Sequence, residues 1–279
     1  MPAGSCLCST VRWRYEGAFE RMTHCHCGMC RKSHGTAFAT YVIGPRARFQ
    51  FAAGEEAIVR YESSPTFVRS FCRHCGSVLP NIAFGELMAA PAGGFDGDLG
   101  MTPWGHIFSA WKAPWHPIND SLPQHDHYPG ADAPAVDREP ATPSTDGLLR
   151  GSCLCGDVTY GVTGDFKFVH QCHCSRCRKA YAAAHCTNGI TRVSSVRFTR
   201  GEQHLTTYRF PHSRFYAPTF CRRCGSKMPR LDIENRMALV PFGSLDDDPK
   251  RTADDHIYVG SKSSWYSITD DLPQYAELP

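Results

Sequence analysis

The cysteines of this chain fall in three short groups, and the three groups then recur. Cys6-x-Cys8, Cys25-x-Cys27-x-x-Cys30 and Cys72-x-x-Cys75 return as Cys153-x-Cys155, Cys172-x-Cys174-x-x-Cys177 and Cys221-x-x-Cys224, and Cys186 completes 15 cysteines in 279 residues. Thiols so spaced serve as disulfide partners or as metal ligands. The opening residues, Met1 to Cys6, lack a basic segment followed by an apolar run, and no stretch approaches ~18 uninterrupted apolar residues. The chain therefore reads as cytoplasmic and without membrane contact, and clustered thiols in a reducing compartment hold metal more often than they cross-link, with zinc the default.

Zinc takes four thiolate or imidazole ligands when structural, and three protein ligands plus an open position when reactive. Seven cysteines per copy divide as four and three. Cys72 and Cys75, followed by Gly76, have the form of a zinc knuckle that needs two more ligands, and Cys6 and Cys8 are the natural donors. A closed site joining distant strands replaces the large core that so short a domain builds only modestly. Cys25, Cys27 and Cys30 then form a cup around one side of a metal, leaving a fourth position open. The second copy repeats the division, with Cys153, Cys155, Cys221 and Cys224 closed and Cys172, Cys174 and Cys177 open, for up to four zinc ions per chain. His24, His26 or His170 completing the second tetrahedron, which would make every site structural, stays open at this level.

The elements that must position these groups follow from the repeat. The offset is 147 from Cys6 to Cys153 and from Cys25 to Cys172, 149 from Cys72 to Cys221, and 150 from Trp115 to Trp265. Flanking words repeat as well: GSCLC at 4–8 and 151–155, CGS at 75–77 and 224–226, DSLPQ at 120–124 and DDLPQ at 270–274. This is a duplication. It gives a first domain over 1–125, a Pro- and Ala-rich linker over 126–148 and a second domain over 149–279, with an ordered strap as the other reading of the linker. Val11, Trp13 and Tyr15 alternate with Arg12 and Arg14, and Val158, Tyr160 and Val162 repeat the pattern, as half-buried strands do. Similar runs follow at Phe49–Phe51, Ile58–Tyr61, Phe67–Phe71, Val196–Phe198 and Leu205–Tyr208. The stretch Arg31 to Ala39 offers one or two helical turns at most. Each domain is read as mainly β. Thirty basic against 27 acidic residues leave a net charge of +3, dispersed along the chain, so no nucleic-acid partner is expected.

With CHCGMCRKSHGTAF at 25–38, FCRHCGS at 71–77 and HIFSAWKAPWHPINDSLPQ at 106–124, and their counterparts CHCSRCRKA, FCRRCGS and HIYVGSKSSWYSITDDLPQY, the chain resembles the glutathione-dependent formaldehyde-activating enzyme and centromere protein V family. The resemblance covers nearly all of each copy. It implies two tandem β-tent-like domains pinned by zinc, the same division of sites, a glutathione-like thiol as partner, and carbon–sulfur lyase or synthase activity that yields S-hydroxymethylglutathione from formaldehyde. Cys25, Cys27 and Cys30, with Cys172, Cys174 and Cys177, are the expected catalytic ligands. A thiol entering the open position would lose its proton, and three cysteines keep the centre electron-rich enough for that thiolate to remain nucleophilic.

Arg31, Lys32, Arg176, Arg178 and Lys179 are read as solvated basic residues, with carboxylate binding as the other role, and Trp111, Trp115 and Trp265 as packing residues. The copies also diverge. Gly35, Phe38 and Ala39 align with Ala182, His185 and Cys186, and Ala182 is expected to remove any left-handed backbone that Gly35 permits. His185 or Cys186 could close the second open site, or Cys186 is a buried free thiol. One or two active sites, a zinc-dependent binding module and a thiol-based redox sensor all remain consistent with the sequence.

Overall fold

The computed structural model describes residues 1–65, 67–130, 145–211, 213 and 215–279. Alternation does what it predicts: in β2 (Arg12–Tyr15) the arginines face solvent while Trp13 and Tyr15 are buried. The first half builds three sheets. In one, β1 (Ala3–Ser5) lies between β2 and β11 (Phe95–Asp96), with β5 (Phe49–Ala53) beyond β2. The second and largest centres on β3 (Arg21–Cys25) and β4 (Ala39–Pro45). It extends one way through β10 (Leu87–Pro91) to β9 (Asn81–Phe84), and the other way through β12 (His106–Ile107) to β13 (Gln124–His125). The third is a meander of β6 (Ile58–Ser64), β7 (Phe67–Cys72) and β8 (Val78–Leu79). A seven-residue helix, α1 (Gly28–His34), interrupts the passage from β3 to β4.

The second half repeats this order. β14 (Leu149–Ser152), β15 (Thr159–Val162) and β18 (Val196–Arg200) form the first sheet, and β19 (Leu205–Thr207), β20 (Thr219–Cys221) and β21 (Lys227–Met228) the meander. The large sheet runs β22 (Arg230–Asp232), β23 (Met237–Pro241), β17 (Cys186–Arg192), β16 (Phe168–Cys172), β24 (Asp255–Ile257) and β25 (Gln274–Tyr275), with α2 (Ser175–Tyr181) between β16 and β17. The chain is mainly β, with cysteine clusters in both halves. Among the described residues no helix is long and apolar enough to cross a membrane.

Of the span read as linker, residues 131–144 lie outside the described residues. The stretch before them stays on the first half: Ser109 Oγ donates to Asp126 at 3.0 Å, and Arg21 Nη1 donates to the Tyr128 hydroxyl at 2.9 Å.

The halves share one apolar core, and each helix docks against the other half. Lys32 Nζ, buried on α1, donates to the carbonyls of Ser152 (2.9 Å) and Ser244 (2.7 Å) and pairs with Asp246 at 2.5 Å. Its counterpart Lys179 reaches back to Ser5, to the Gly94 carbonyl (3.1 Å) and to Asp96 (2.6 Å). The solvated reading is therefore corrected for this pair, and carboxylate binding with it: their ammonium groups are consumed by the partner half, whose carbonyls and aspartate offset the desolvation. The packing reading of the tryptophans holds for Trp115, which is buried against Phe242 of the other half.

Two glycines set the closeness of this docking. A Cβ on Gly93 would fall 2.3 Å from the backbone nitrogen of Ala183, and one on Gly243 the same distance from that of Thr36. Ala182 corrects a second expectation, since it keeps the left-handed conformation of Gly35 (φ 51° against 72°) and still caps its helix. Packing between halves outweighs a penalty of roughly 1–2 kcal/mol. Gly93→Ala and Gly243→Ala are each expected to destabilise the chain by about 1–3 kcal/mol in chemical denaturation, because backbone must move. Gly260→Ala, whose nearest neighbour is 4.0 Å away, should change stability far less.

Candidate metal centres

The turn between β1 and β2 carries Cys6 and Cys8, and the turn from β7 to β8 carries Cys72 and Cys75. The two turns meet, so residues some 64 positions apart become one cluster of four sulfurs, all within 4.8 Å of one another. Cys6 and Cys8 lie 3.4 Å apart, and Cys8 and Cys72 3.7 Å apart. A tetrahedron with zinc–sulfur bonds of about 2.3 Å needs sulfurs about 3.8 Å apart, so the donor set fits a zinc ion. Cys153, Cys155, Cys221 and Cys224 repeat the arrangement, with 3.4 Å and 3.8 Å at the equivalent pairs. The serine of each CGS word ties the two turns together. Ser77 Oγ accepts from the Leu7 amide at 3.0 Å and sits 3.3 Å from Cys75 Sγ, and Ser226 does the same for Leu154 and Cys224. Gly76 and Gly225 take left-handed φ values of 70° and 75°, and a side chain on either would strike Phe220 or Phe71 of the opposite half.

The second centre of the first half sits where β3 ends and α1 begins. Cys25 closes the strand, Cys27 is the N-cap of the helix with its sulfur accepting from the Cys30 amide at 3.4 Å, and Cys30 lies one turn in. All three sulfurs fall within 4.8 Å of one another, with Cys25 and Cys27 at 3.7 Å. This donor set also fits zinc. His26, between two of these cysteines, uses Nε2 elsewhere. The Asp120 carboxylate accepts from His106 Nε2 at 3.0 Å, which leaves His106 Nδ1 to accept from His26 Nε2 at 2.8 Å. His173, His256 and Asp270 form the same chain in the second half, with 2.8 Å and 2.9 Å. These chains anchor the cysteine turns to the repeated Asp-x-Leu-Pro-Gln words. His24 bonds Thr40 through Nδ1 at 2.8 Å, and His170 pairs with Asp255 at 2.6 Å.

A cation faces the first cup. Arg69, buried on β7, donates from Nη2 to Cys30 Sγ at 3.6 Å and from Nη1 to the Tyr41 hydroxyl at 3.4 Å. His34 donates from Nδ1 to the Tyr181 carbonyl at 2.8 Å, so Nε2 accepts from the Tyr41 hydroxyl at 2.8 Å. Arg69, Tyr41 and His34 thus form one oriented chain ending on sulfur. Hydrogen bonds from Cys25 and Cys27, reinforced by Arg69, hold the Cys30 thiol well below the usual range. Cys25 is raised well above it, chiefly because its bonds to Cys27 and Cys30 favour their thiolates over its own. Uncompensated, three buried sulfurs cannot all ionise together; a metal cation removes that conflict.

The second half departs here. Cys172, Cys177 and Cys186 have sulfurs within 4.8 Å of one another; Cys174, the N-cap of α2, is not one of this trio, and its sulfur accepts from the Cys177 amide at 3.4 Å. Cys186 is buried, but as a member of the cluster and not as an isolated thiol. Arg69 has no equivalent, because its aligned position is Pro218, and Tyr41 aligns with Asn188, whose Nδ2 donates to Cys186 Sγ at 3.2 Å. His185 stays off the sulfurs in ring contact with Phe38, His116, His173 and Tyr266, between the halves. The sequence reading missed Arg69, Tyr41 and Ser77. Only the repeated CGS word carried a signal for one of them.

Burial lowers the His34 pKa to about 4. Between that value and the usual value near 6.5, the unfolded chain takes up a proton that the folded chain refuses. The stability His34 contributes is thus complete above about pH 6.5 and is lost as pH falls toward 4. Unfolding free energy measured against pH should fall less steeply in His34→Gln than in the unsubstituted chain, by up to about one proton per molecule.

A crystal structure of a protein from Rhodobacter sphaeroides is similar at 29% identity, over 35% of this chain and 88% of that one, with a TM-score of 0.30. No functionally curated protein matches. The family model described as "Glutathione-dependent formaldehyde-activating enzyme" matches residues 1–110 and again 148–261, so that both sets of cysteine clusters fall within it. On that match, the chain belongs to the glutathione-dependent formaldehyde-activating enzyme family.

Proposed function

We propose that the Cys25, Cys27 and Cys30 centre, loaded with zinc, joins a small thiol such as glutathione to formaldehyde and cleaves the same adduct, so that the chain is a carbon–sulfur lyase or synthase. One observation supports this above the others: three converging thiols meet a buried guanidinium, and the position opposite Cys25 on the neighbouring strand is Ala39, which offers no fourth ligand. Zinc bound there would acidify an entering thiol so that it stands ready as thiolate near neutral pH.

The chain's own residues then have separate tasks. Cys25, Cys27 and Cys30 hold the metal, and the helix start at Cys27 fixes two of them in register. Arg69 balances the negative charge that accumulates as another sulfur arrives, and Tyr41 with His34 keeps the guanidinium aimed. The thiol releases its proton, and a sulfur lone pair forms the carbon–sulfur bond at the carbonyl carbon. The carbon–oxygen π pair moves to oxygen, which takes up a proton. Nothing is oxidised or reduced, and the reverse step breaks the same bond. A cytoplasmic location, where glutathione is plentiful and thiols stay reduced, belongs to the same reading.

Exchange NMR of glutathione and formaldehyde at equilibrium tests it, since catalysis raises the rate of adduct interchange without altering the equilibrium. The zinc-loaded chain should accelerate exchange over buffer. Cys27→Ser should abolish the acceleration, and Arg69→Met should reduce it roughly ten- to a hundredfold, the worth of one charge-assisted hydrogen bond. Exchange no faster than in buffer would refute the reading and leave a zinc-binding module.

A further inference from the structure

The two copies carry different ligand sets at the helix-start centre, and the difference bears on what each can bind. In both large sheets the last residue of the first central strand faces the first residue of its neighbour: Cys25 opposes Ala39, and Cys172 opposes Cys186. Directly opposed residues of an antiparallel pair bring their Cβ atoms to about 4.5–5.5 Å. A thiol at the second position therefore lands on the cluster, and the Cys186 sulfur does lie within 4.8 Å of those of Cys172 and Cys177. Cys174 lies outside that trio but beside it, at the start of α2, where its sulfur accepts from the Cys177 amide at 3.4 Å.

The surroundings changed together with the ligand. The first cup has Arg69 on Cys30, backed by Tyr41 and His34; the second has Pro218, Asn188 and Tyr181 at those positions. Asn188 serves the added cysteine, donating to its sulfur at 3.2 Å while accepting from the Tyr181 hydroxyl at 3.2 Å. The cation that would receive an incoming anion gives way to Pro218, and at the position of Tyr41 an amide orients a protein sulfur. Cys186 and Ala182 are fully buried.

We propose that Cys172, Cys174, Cys177 and Cys186 form a closed four-thiolate zinc site, in which Cys186 takes the coordination position left free for a small thiol in the first half. The chain then has three closed sites and one that accepts thiol. This rests on the preceding reading only for the thiol-binding role of the Cys25, Cys27 and Cys30 centre; the closure of the second site stands independently of it.

Cadmium-113 NMR of the fully loaded full-length chain separates the two statements, because each bound cadmium reports its own number of thiolates. Four signals are expected. Cys186→Ser and Cys174→Ser should each displace the same signal, with the other three unmoved as evidence of an intact fold. Added glutathione should shift one signal in the unsubstituted chain, a different one from that displaced by Cys186→Ser, and should shift two in Cys186→Ala. If neither Cys186→Ser nor Cys186→Ala displaces a signal, or if Cys174→Ser leaves that signal in place, the closed site is refuted. Two signals shifted by glutathione in the unsubstituted chain would refute it without any variant. If glutathione shifts none while Cys186→Ser and Cys174→Ser displace one, the closed site stands and the thiol chemistry proposed for the first half fails.

Discussion

Burying several thiols within van der Waals reach of one another is the constraint on which this structure turns. Four sulfurs within 4.8 Å of one another cannot each carry a charge in a low-dielectric interior unless a cation joins them. Their acidities accordingly split: hydrogen bonds from Cys6 and Cys72 bring Cys75 to about 7, while bonds to its neighbours drive Cys6 far upward. A divalent metal held by these four sulfurs would turn the frustrated cluster into a cross-link between two turns remote in sequence, and its binding energy would become folding energy. The small sheets of each half, two to seven residues per strand, have little other means of holding their relative positions.

A second layer of organisation comes from the meeting of the halves. The same lysine on each helix, Lys32 and Lys179, is spent on backbone carbonyls and an aspartate across the interface, and the same glycine, Gly93 and Gly243, lets backbones touch. His34 joins the two layers. Its ring spans from a carbonyl of the second half to the tyrosine that aims Arg69 at Cys30. The first centre is thus completed by the second half, although all its cysteines come from the first. Symmetric docking has freed the two centres to differ, since neither the fold nor the interface requires the same residue at Ala39 and Cys186.

The repeat, the β character and the pairing of Cys6 and Cys8 with the Cys72 knuckle were legible because they rest on local rules: period-two alternation, fixed ligand spacing and repeated words. What escaped the sequence rests on contacts between segments with no shared pattern. Arg69 looks like any strand arginine until β7 turns its face inward, and Lys32 and Lys179 look solvated because their carbonyl acceptors lie 85 to 212 residues away. Ala182 showed that a residue chosen against by local propensity is tolerated where tertiary packing fixes the helix end. Cys186 was visible as an oddity of the alignment, but only strand register placed its sulfur among the others.

The central claim is that every cysteine cluster is a metal site and that the metals are distributed evenly over both halves. Elemental analysis of zinc against protein, on the full chain after removal of loosely bound metal, tests it most directly. The account predicts four zinc ions per chain, one for each cluster of converging sulfurs. A stable folded chain holding only two would contradict it, leaving the helix-start clusters as reduced thiols with no part in metal chemistry.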